Sequence, residues 1–458
     1  GGFAALGVGA GDRVAVLCGN SVYFVESYLA VLGLGAVVVP LNPENPSLEI
    51  QQEIAAVGAT AVVVGPSAAA AWNGVDRAAV PSVRTVISTE VSGGGDVDFE
   101  QLASGPATDV RAVEDGALAV LIFTSGTAGS PRAAMLTHGN LLANLRQARA
   151  ADAGINSSDV VYGVLPMFHI FGLNVVLAQT LMNGATIVLV QRFDPSTALD
   201  TIRERRVTVV PGAPPLWLAF SHFDDAAADS FATVRLALTG AAKMPEAGIR
   251  RLQEMFGLQL AEGYGLTEAS PVVTSSAGLE MRVGSVGKVL DGIEVRLVDE
   301  EGDDVLEGDA GEIWVRGPNV FQGYLDDPEQ TARVLTGDGW LRTGDIAVTD
   351  DDGYLFLVDR AKDLIIVSGF NVYPAEVEEA IAGHPAVAEV GVAGVPHPHT
   401  GEAVKAWVVV EAGMTVDEDT LISWCNDRLA RYKTPSKILF VDQLPRNVSG
   451  KLLRRSLM

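Results

Sequence analysis

Apolar positions along this chain follow two rhythms, and their alternation predicts the architecture. Short unbroken apolar runs at Val14–Cys18, Ala36–Val39, Ala61–Val64, Val83–Ile87 and Leu118–Phe123 read as strands. Between them, helical spacing appears at Phe24–Leu32, Leu48–Val57 and Leu141–Ala148, the last with Thr137 as its cap. A second unit of the same kind has strands near Thr186–Val190, Val207–Val210 and Val234–Leu238. Such alternation argues for α/β layers with mostly parallel sheets. From Gly284 to Leu357 the rhythm shortens to strands broken by Gly/Asp turns, at Glu294–Val298, Gly311–Val315 and Tyr354–Val358, which suggests a small β-barrel-like subdomain. Beyond Arg360 a compact α+β unit begins with the strand Leu364–Val367. Its helix Pro374–Ile381 opens on proline and carries Glu376, Glu378 and Glu379 in its first turns.

The expected fold is therefore α/β. A large N-terminal domain spans 1–359, with two α/β subdomains over about 1–280 and the barrel-like part over about 281–359. A junction at 360–362 leads to a smaller α+β domain over 363–458. The longest apolar region, Gly172 to Val190, is interrupted by Asn174, Gln179 and Asn183-Gly184; it reads as a buried helix, a turn and a strand, not a membrane span. Because Gly11-Asp12-Arg13 already turns into a strand, the chain is expected to be shortened at its N-terminus, and a targeting segment could be lost with the missing part.

Composition narrows the function. At 458 residues with 48% hydrophobic content, the chain can bury more than one core. A net charge of −25 disfavours nucleic acid and anionic membrane as partners. The exception is the segment from Arg428 to Arg455, where eight basic residues accompany one acid, Asp442. A charge run is usually a solvated face, but this one ends in Ser449-Gly450-Lys451, which favours phosphate-bearing ligands. The two cysteines, Cys18 and Cys425, form no metal or disulfide pattern and fit a cytoplasmic setting.

The strand ending at Ile122 empties into Phe123-Thr124-Ser125-Gly126-Thr127-Ala128-Gly129-Ser130-Pro131-Arg132. Small residues let backbone N–H groups approach anionic oxygens, and the hydroxyls add donors, so the loop suits a polyphosphate. It lacks the spacing of a Walker loop, and alone it reads equally well as a turn at a strand end. Further stretches follow in order: Tyr264-Gly265-Leu266-Thr267-Glu268, Gly344-Asp345, Asp359-Arg360 and Pro445-Arg446-Asn447-Val448-Ser449-Gly450-Lys451. Together they resemble the signature series of the adenylate-forming enzymes, which include acyl-CoA synthetases, aryl-CoA ligases, luciferases and peptide-synthetase adenylation domains. The resemblance covers essentially the whole chain.

That resemblance implies ATP-dependent activation of a carboxylic acid to acyl-AMP, then thioester formation with coenzyme A. It assigns the triphosphate to Thr124, Ser125, Gly126, Thr127 and Gly129 with Arg132, where relatives usually carry lysine; glycine is usual at Ala133. Arginine keeps the charge but changes its geometry. It implies Mg²⁺ on Glu268 and Thr124, adenine against Tyr264, the α-phosphate on Thr267, and ribose on Asp345 with Arg360 assisting. The resemblance also assigns Gly240-Ala241-Ala242, Gly263 and Gly265 to the nucleotide site, with Gly240 and Gly265 serving the acid as well. Lys451 would offset repulsion between the carboxylate and the α-phosphate. Lys362 would be the hinge of a mobile C-terminal lid, whose rotation withdraws Lys451 and brings Ser368-Gly369 beside the incoming pantetheine.

The acid itself is less marked. His169, in Pro166-Met167-Phe168-His169-Ile170-Phe171-Gly172, stands where amino-acid-activating relatives carry aspartate and matches fatty-acyl and aryl-CoA ligases, although a lone histidine on an apolar segment is more often structural. Phe171 would join it in the acid site. Pro214-Pro215-Leu216-Trp217-Leu218 resembles an acyl-tunnel segment, with Trp217 as gate or, equally, as a packed core residue. The expected acid is a medium- or long-chain fatty acid, with a hydroxycinnamate-like aryl acid as the alternative. A fatty acyl-AMP ligase serving a carrier protein is a further rival, although such enzymes typically carry an insertion before the hinge. An inactive adenylate-binding module is disfavoured by Glu268, Asp345 and Lys451. A homodimer is possible on these grounds.

Overall fold

The computed structural model describes residues 1–89, 95–124, 132–150, 153–223, 226–299, 301–306, 308–360, 363, 365–367, 370–397, 400–446 and 451–457. Val14 and Val16 enter one core and Ala15 and Leu17 another, so this strand is buried on both faces and reads as an unbroken apolar run. It lies inside a seven-stranded sheet. Strands Val37–Leu41 and Ala61–Val64 flank it in parallel, and Leu118–Thr124 follows beside Val37–Leu41. Arg132–Thr137 closes that edge antiparallel to Leu118–Thr124. This last strand is absent from the sequence reading, because its Arg-Ala-Ala start hides the apolar run. Thr137 caps the helix His138–Ala150 reciprocally: its Oγ1 accepts from the Asn140 N–H and its own N–H donates to Asn140 Oδ1, both at 3.0 Å.

The second sheet also has seven strands, with Val160–Gly163, Val209–Gly212, Leu236–Thr239 and Leu260–Gly265 parallel and adjacent in that order. Between the two sheets runs the expected buried helix, in an unexpected form. Phe171–Ala178 is a π-helix, passing into an α-helical turn at Gln179–Met182. Its polar residues are buried because they serve neighbours. Asn174 Nδ2 donates to the Ser270 carbonyl at 2.7 Å, and Gln179 Nε2 to the Leu145 carbonyl at 2.7 Å.

Glu294–Val298, Gly311–Arg316, Leu341–Thr349 and Leu355–Arg360 form a four-stranded antiparallel sheet in chain order. Its outer strands do not pair with each other among the described residues, so the barrel-like expectation becomes an open sheet. The C-terminal part has its own sheet, centred on Gly401–Val410, and its own core around Val377, Ile381, Val404 and Leu421. Lys243 and Glu379 bridge the two parts at 3.1 Å. No helix among the described residues is long and apolar enough to cross a membrane.

Candidate active site

The ends of Leu118–Thr124, Leu236–Thr239 and Leu260–Gly265, the start of Leu341–Thr349, and Lys451 from the C-terminal part line one cavity of about 1110 Å³. Ligand sites at the carboxyl ends of parallel strands follow from the topology, since backbone groups there have no further strand to pair with.

Tyr264 is buried and donates its phenol proton to Asp345 Oδ2 at 2.8 Å. Asp345 is fixed from behind. Its N–H donates to Thr343 Oγ1 at 3.1 Å, and the Gly344 N–H donates to Glu312 Oε1 at 2.9 Å. Gly344 has φ +71°, a conformation that glycine adopts without strain. Arg360 pairs through its backbone with Asp345 on the adjacent strand. Gly265 is also required: a Cβ there would lie 2.2 Å from the Pro271 carbonyl oxygen. Thr267 and Glu268 follow in the short helical turn Thr267–Ala269, and both line the cavity with Gly263. Glu268 Oε1 accepts from the Tyr324 phenol at 2.7 Å.

Thr124 stands opposite Arg132 across an antiparallel pair, and both line the cavity. Arg132 Nε lies 3.6 Å from Asp327. Ser125, Gly126, Thr127, Gly129, Lys362, Ser368 and Gly369 lie outside the described residues. His169 lines the cavity with Lys451. Burial, and then the positive charge of Lys451, hold its pKa below the usual imidazole value. The Phe171 N–H donates to His169 Nδ1 at 3.3 Å, so the neutral ring carries its proton on Nε2.

Part of the cavity lining is apolar, with Ile155, Phe171, Val175, Leu236 and Leu238 among its residues. A Cβ on Gly240 would meet the Phe171 ring at 3.3 Å, so glycine leaves the cavity open there. Ala241 lines it with φ +70°, a strained conformation for a residue with a Cβ; Ala242 is not among the lining residues. Besides Phe171 and Val175, Gln179 and Ala277 also line the cavity. A π-helix closes its turns from i to i+5, so residues four apart fall near one face.

The AMP-binding enzyme family matches residues 1–325, and the AMP-binding enzyme C-terminal domain matches residues 376–451. The chain belongs to the AMP-binding enzyme family. A feruloyl-CoA synthase from Amycolatopsis sp is 38% identical over 464 residues, 99% of this chain and 89% of that protein. A 3-[(3aS,4S,7aS)-7a-methyl-1,5-dioxo-octahydro-1H-inden-4-yl]propanoyl:CoA ligase from Rhodococcus jostii (strain RHA1) is 37% identical over 473 residues, 98% of this chain and 88% of that protein. A long-chain-fatty-acid–CoA ligase from Bacillus subtilis (strain 168) is 33% identical over 486 residues, 99% of this chain and 86% of that protein. Among solved structures, ATP-bound MatB from Rhodopseudomonas palustris matches with a TM-score of 0.92 at 34% identity, covering 99% of this chain and 90% of that one. The apo form of MatB matches with a TM-score of 0.80 at the same 34% identity, covering 99% of this chain and 89% of that one.

In this AMP-binding enzyme Trp217 does not line the cavity, which corrects its expected place as a gate. It is fully buried, its indole N–H donates to the Leu238 carbonyl at 3.0 Å, and its ring packs among Phe220 and Phe231. The helix Pro214–Ser221 thus faces the core behind the cavity wall. Tyr324 was missed by the sequence reading, as were Val175, Leu236 and Leu238. For Tyr324 the available signal is slight, a Gly-Tyr pair ahead of the capped helix start Asp327-Pro328.

Proposed function

We propose that this protein is an AMP-forming acid–CoA ligase whose acid is a medium- or long-chain fatty acid. The observation that carries the reading is one cavity shared by Lys451 of the C-terminal part and by Glu268, Asp345 and His169 of the N-terminal part, with part of its lining apolar. A carboxylate oxygen attacks the α-phosphorus of ATP and pyrophosphate leaves. The thiolate of CoA then attacks the acyl carbonyl carbon, and AMP leaves with the bonding electron pair.

Each group has work suited to its place. Asp345 accepts from the ribose hydroxyls, Tyr264 lies along the adenine, and Arg132 with Thr124 meets the β- and γ-phosphates. Lys451 balances charge between the two anions as they approach. Glu268 and Thr124 fit Mg²⁺, since one carboxylate and one hydroxyl are hard oxygen donors suited to an ion already carrying phosphate and water. Among the described residues no cluster of three His, Cys, Asp or Glu competes for it. When bound, the ion would neutralise phosphate charge. The higher similarity to ATP-bound than to apo MatB supports an arrangement set for adenylation. The later thioester step would need rotation of the domain 363–458 about Lys362, replacing Lys451 by Ser368-Gly369. Both cysteines are buried, in keeping with a cytoplasmic enzyme.

The 38% identity to a feruloyl-CoA synthase, against 33% to the long-chain-fatty-acid–CoA ligase, favours a second reading, an aryl acid of hydroxycinnamate type. The test is acid-dependent pyrophosphate release across hexanoate to palmitate and a set of cinnamates. Turnover rising with chain length supports the fatty acid. Strong turnover of one cinnamate with a flat fatty-acid profile promotes the aryl acid. Pyrophosphate release with no AMP formed on adding CoA, and AMP formed on adding a phosphopantetheinyl carrier protein, would indicate transfer to a carrier protein.

A further inference from the structure

Tyr324 reaches Glu268 from a segment that is laced in place. The Phe321 N–H donates to the Glu268 carbonyl at 2.9 Å, and the Gln322 N–H to the Met135 carbonyl at 3.1 Å. Met135 N–H returns a bond to the Gly323 carbonyl at 2.9 Å, and the Leu325 N–H donates to the Ala133 carbonyl at 2.9 Å. The Tyr324 N–H donates to Thr331 Oγ1 at 2.9 Å, and its ring stands edge-on to Phe321 at 5.0 Å. Gly323, at φ +127°, has no space for a side chain, because a Cβ would lie 2.5 Å from Thr331. The phenol is therefore fixed from the strand Arg132–Thr137 on one side and from the helix Pro328–Val334 on the other.

A carboxylate can grip a cation with one oxygen or with two. Here Oε1 of Glu268 already accepts the phenol proton at 2.7 Å, which draws on its electron density and favours Oε2 as the ligand atom. Mg²⁺ requires compact octahedral geometry with single-oxygen carboxylate contacts, whereas Ca²⁺ readily takes both oxygens of one carboxylate. We propose that Tyr324 is a positioning residue that holds Glu268 as a one-oxygen ligand and so biases the nucleotide site towards Mg²⁺ over Ca²⁺. The proposal rests on the reading of Glu268 as a metal ligand, and it adds the residue that sets how Glu268 binds.

The experiment is calorimetric titration of ATP, with Mg²⁺, with Ca²⁺ and without metal, into the wild type, Tyr324→Phe, Glu268→Gln and the double variant. Outer partners of metal ligands typically contribute about 10- to 100-fold in metal affinity. Tyr324→Phe should therefore weaken Mg²⁺-dependent ATP binding about tenfold. It should affect Ca²⁺-dependent binding less, so the Mg²⁺/Ca²⁺ ratio falls, while metal-free AMP binding and the melting temperature stay near wild type. The double variant should bind no worse than Glu268→Gln. An unchanged ratio in Tyr324→Phe, with Glu268→Gln clearly weakened, overturns the positioning role and leaves the metal ligand standing. Wild-type metal dependence in Glu268→Gln overturns both. Equal loss with both metals and with metal-free AMP would show that the phenol merely supports the fold, which also overturns the proposal.

Discussion

At the end of the cavity proposed for the nucleotide, Tyr264 is tied to Asp345 and Tyr324 to Glu268 by hydrogen bonds of 2.8 and 2.7 Å. At the end proposed for the acid, Phe171, Val175, Leu236 and Leu238 line the cavity and would meet a ligand through apolar contact. Directional bonds fix the position of each polar atom, so few residue types can serve there. Apolar contact fixes only volume, so many combinations of side chains build an equivalent wall. The relatives share 33 to 38% identity with this chain while their names span aryl, polycyclic and long-chain acids. On the proposed reading, one end of the site carries the reaction and the other the choice of acid.

The largest expected effect tests whether the acid wall is rigid. Trp217 stands behind that wall and holds the Leu238 carbonyl. Trp217→Ala should destabilise the protein by about 3–5 kcal/mol, the usual cost of emptying a large aromatic site in a core. Denaturant unfolding measures it. The order of acid preference should survive in the folded fraction. New activity on longer acids would restore the gate and show that the wall yields.

Lys451 probes the other end. Lys451→Ala should slow acyl-AMP formation by about 10²–10³-fold, comparable to removing a main charge-stabilising donor. Thioester formation from supplied acyl-AMP and CoA should continue at near wild-type rate. Equal loss of both half-reactions would mean that Lys451 supports the fold instead of the adenylation step.

The same division explains what the sequence made legible. Strands such as Ala61–Val64 were visible residue for residue, because burial on both faces leaves an unbroken apolar run. Tyr264, Glu268, Asp345 and Lys451 were visible because each sits in a motif of the ordered series, and the structure brings them to one cavity. Val175 and Leu238 were not, since an apolar residue facing a ligand looks the same in sequence as one facing the core. Trp217 shows the converse error: its aromatic bulk suggested a gate, but only the direction of the helix Pro214–Ser221 decides which side the ring faces. Tyr324 was hidden for another reason. Its partner, Glu268, lies 56 residues away in sequence, and no local pattern announces a pairing between two loops.

A smaller effect should follow from Asp345→Ala. Losing a hydrogen bond to a charged group costs about 1.5–3 kcal/mol. Nucleotide binding should weaken by that amount, read as the affinity for AMP without metal. Part of the loss comes from the Tyr264 phenol, whose hydrogen-bond acceptor is removed. The relative rates on different acids should not move. A shift in acid preference would show that the two ends are coupled through Gly265 and Gly240, which line the cavity between them.

The smallest and most discriminating change is one methylene in the apolar part of the lining. Val175 lies between Phe171 and Gln179 on the cavity-lining side of the helix, and Leu236 and Leu238 line the same cavity. Val175→Leu should fill space that the end of the acid occupies and shorten the preferred chain. Each methylene excluded from the cavity is worth about 0.8 kcal/mol, roughly fourfold in kcat/KM. The profile across hexanoate to palmitate should therefore slide towards shorter acids, with AMP affinity unchanged. An aryl pocket answers differently: one ring-sized acid would lose activity, and no shorter fatty acid would gain. If the profile stayed fixed for both classes, Val175 would lie beyond the reach of the acid, and the substrate would occupy only the part of the cavity between His169 and Gly240.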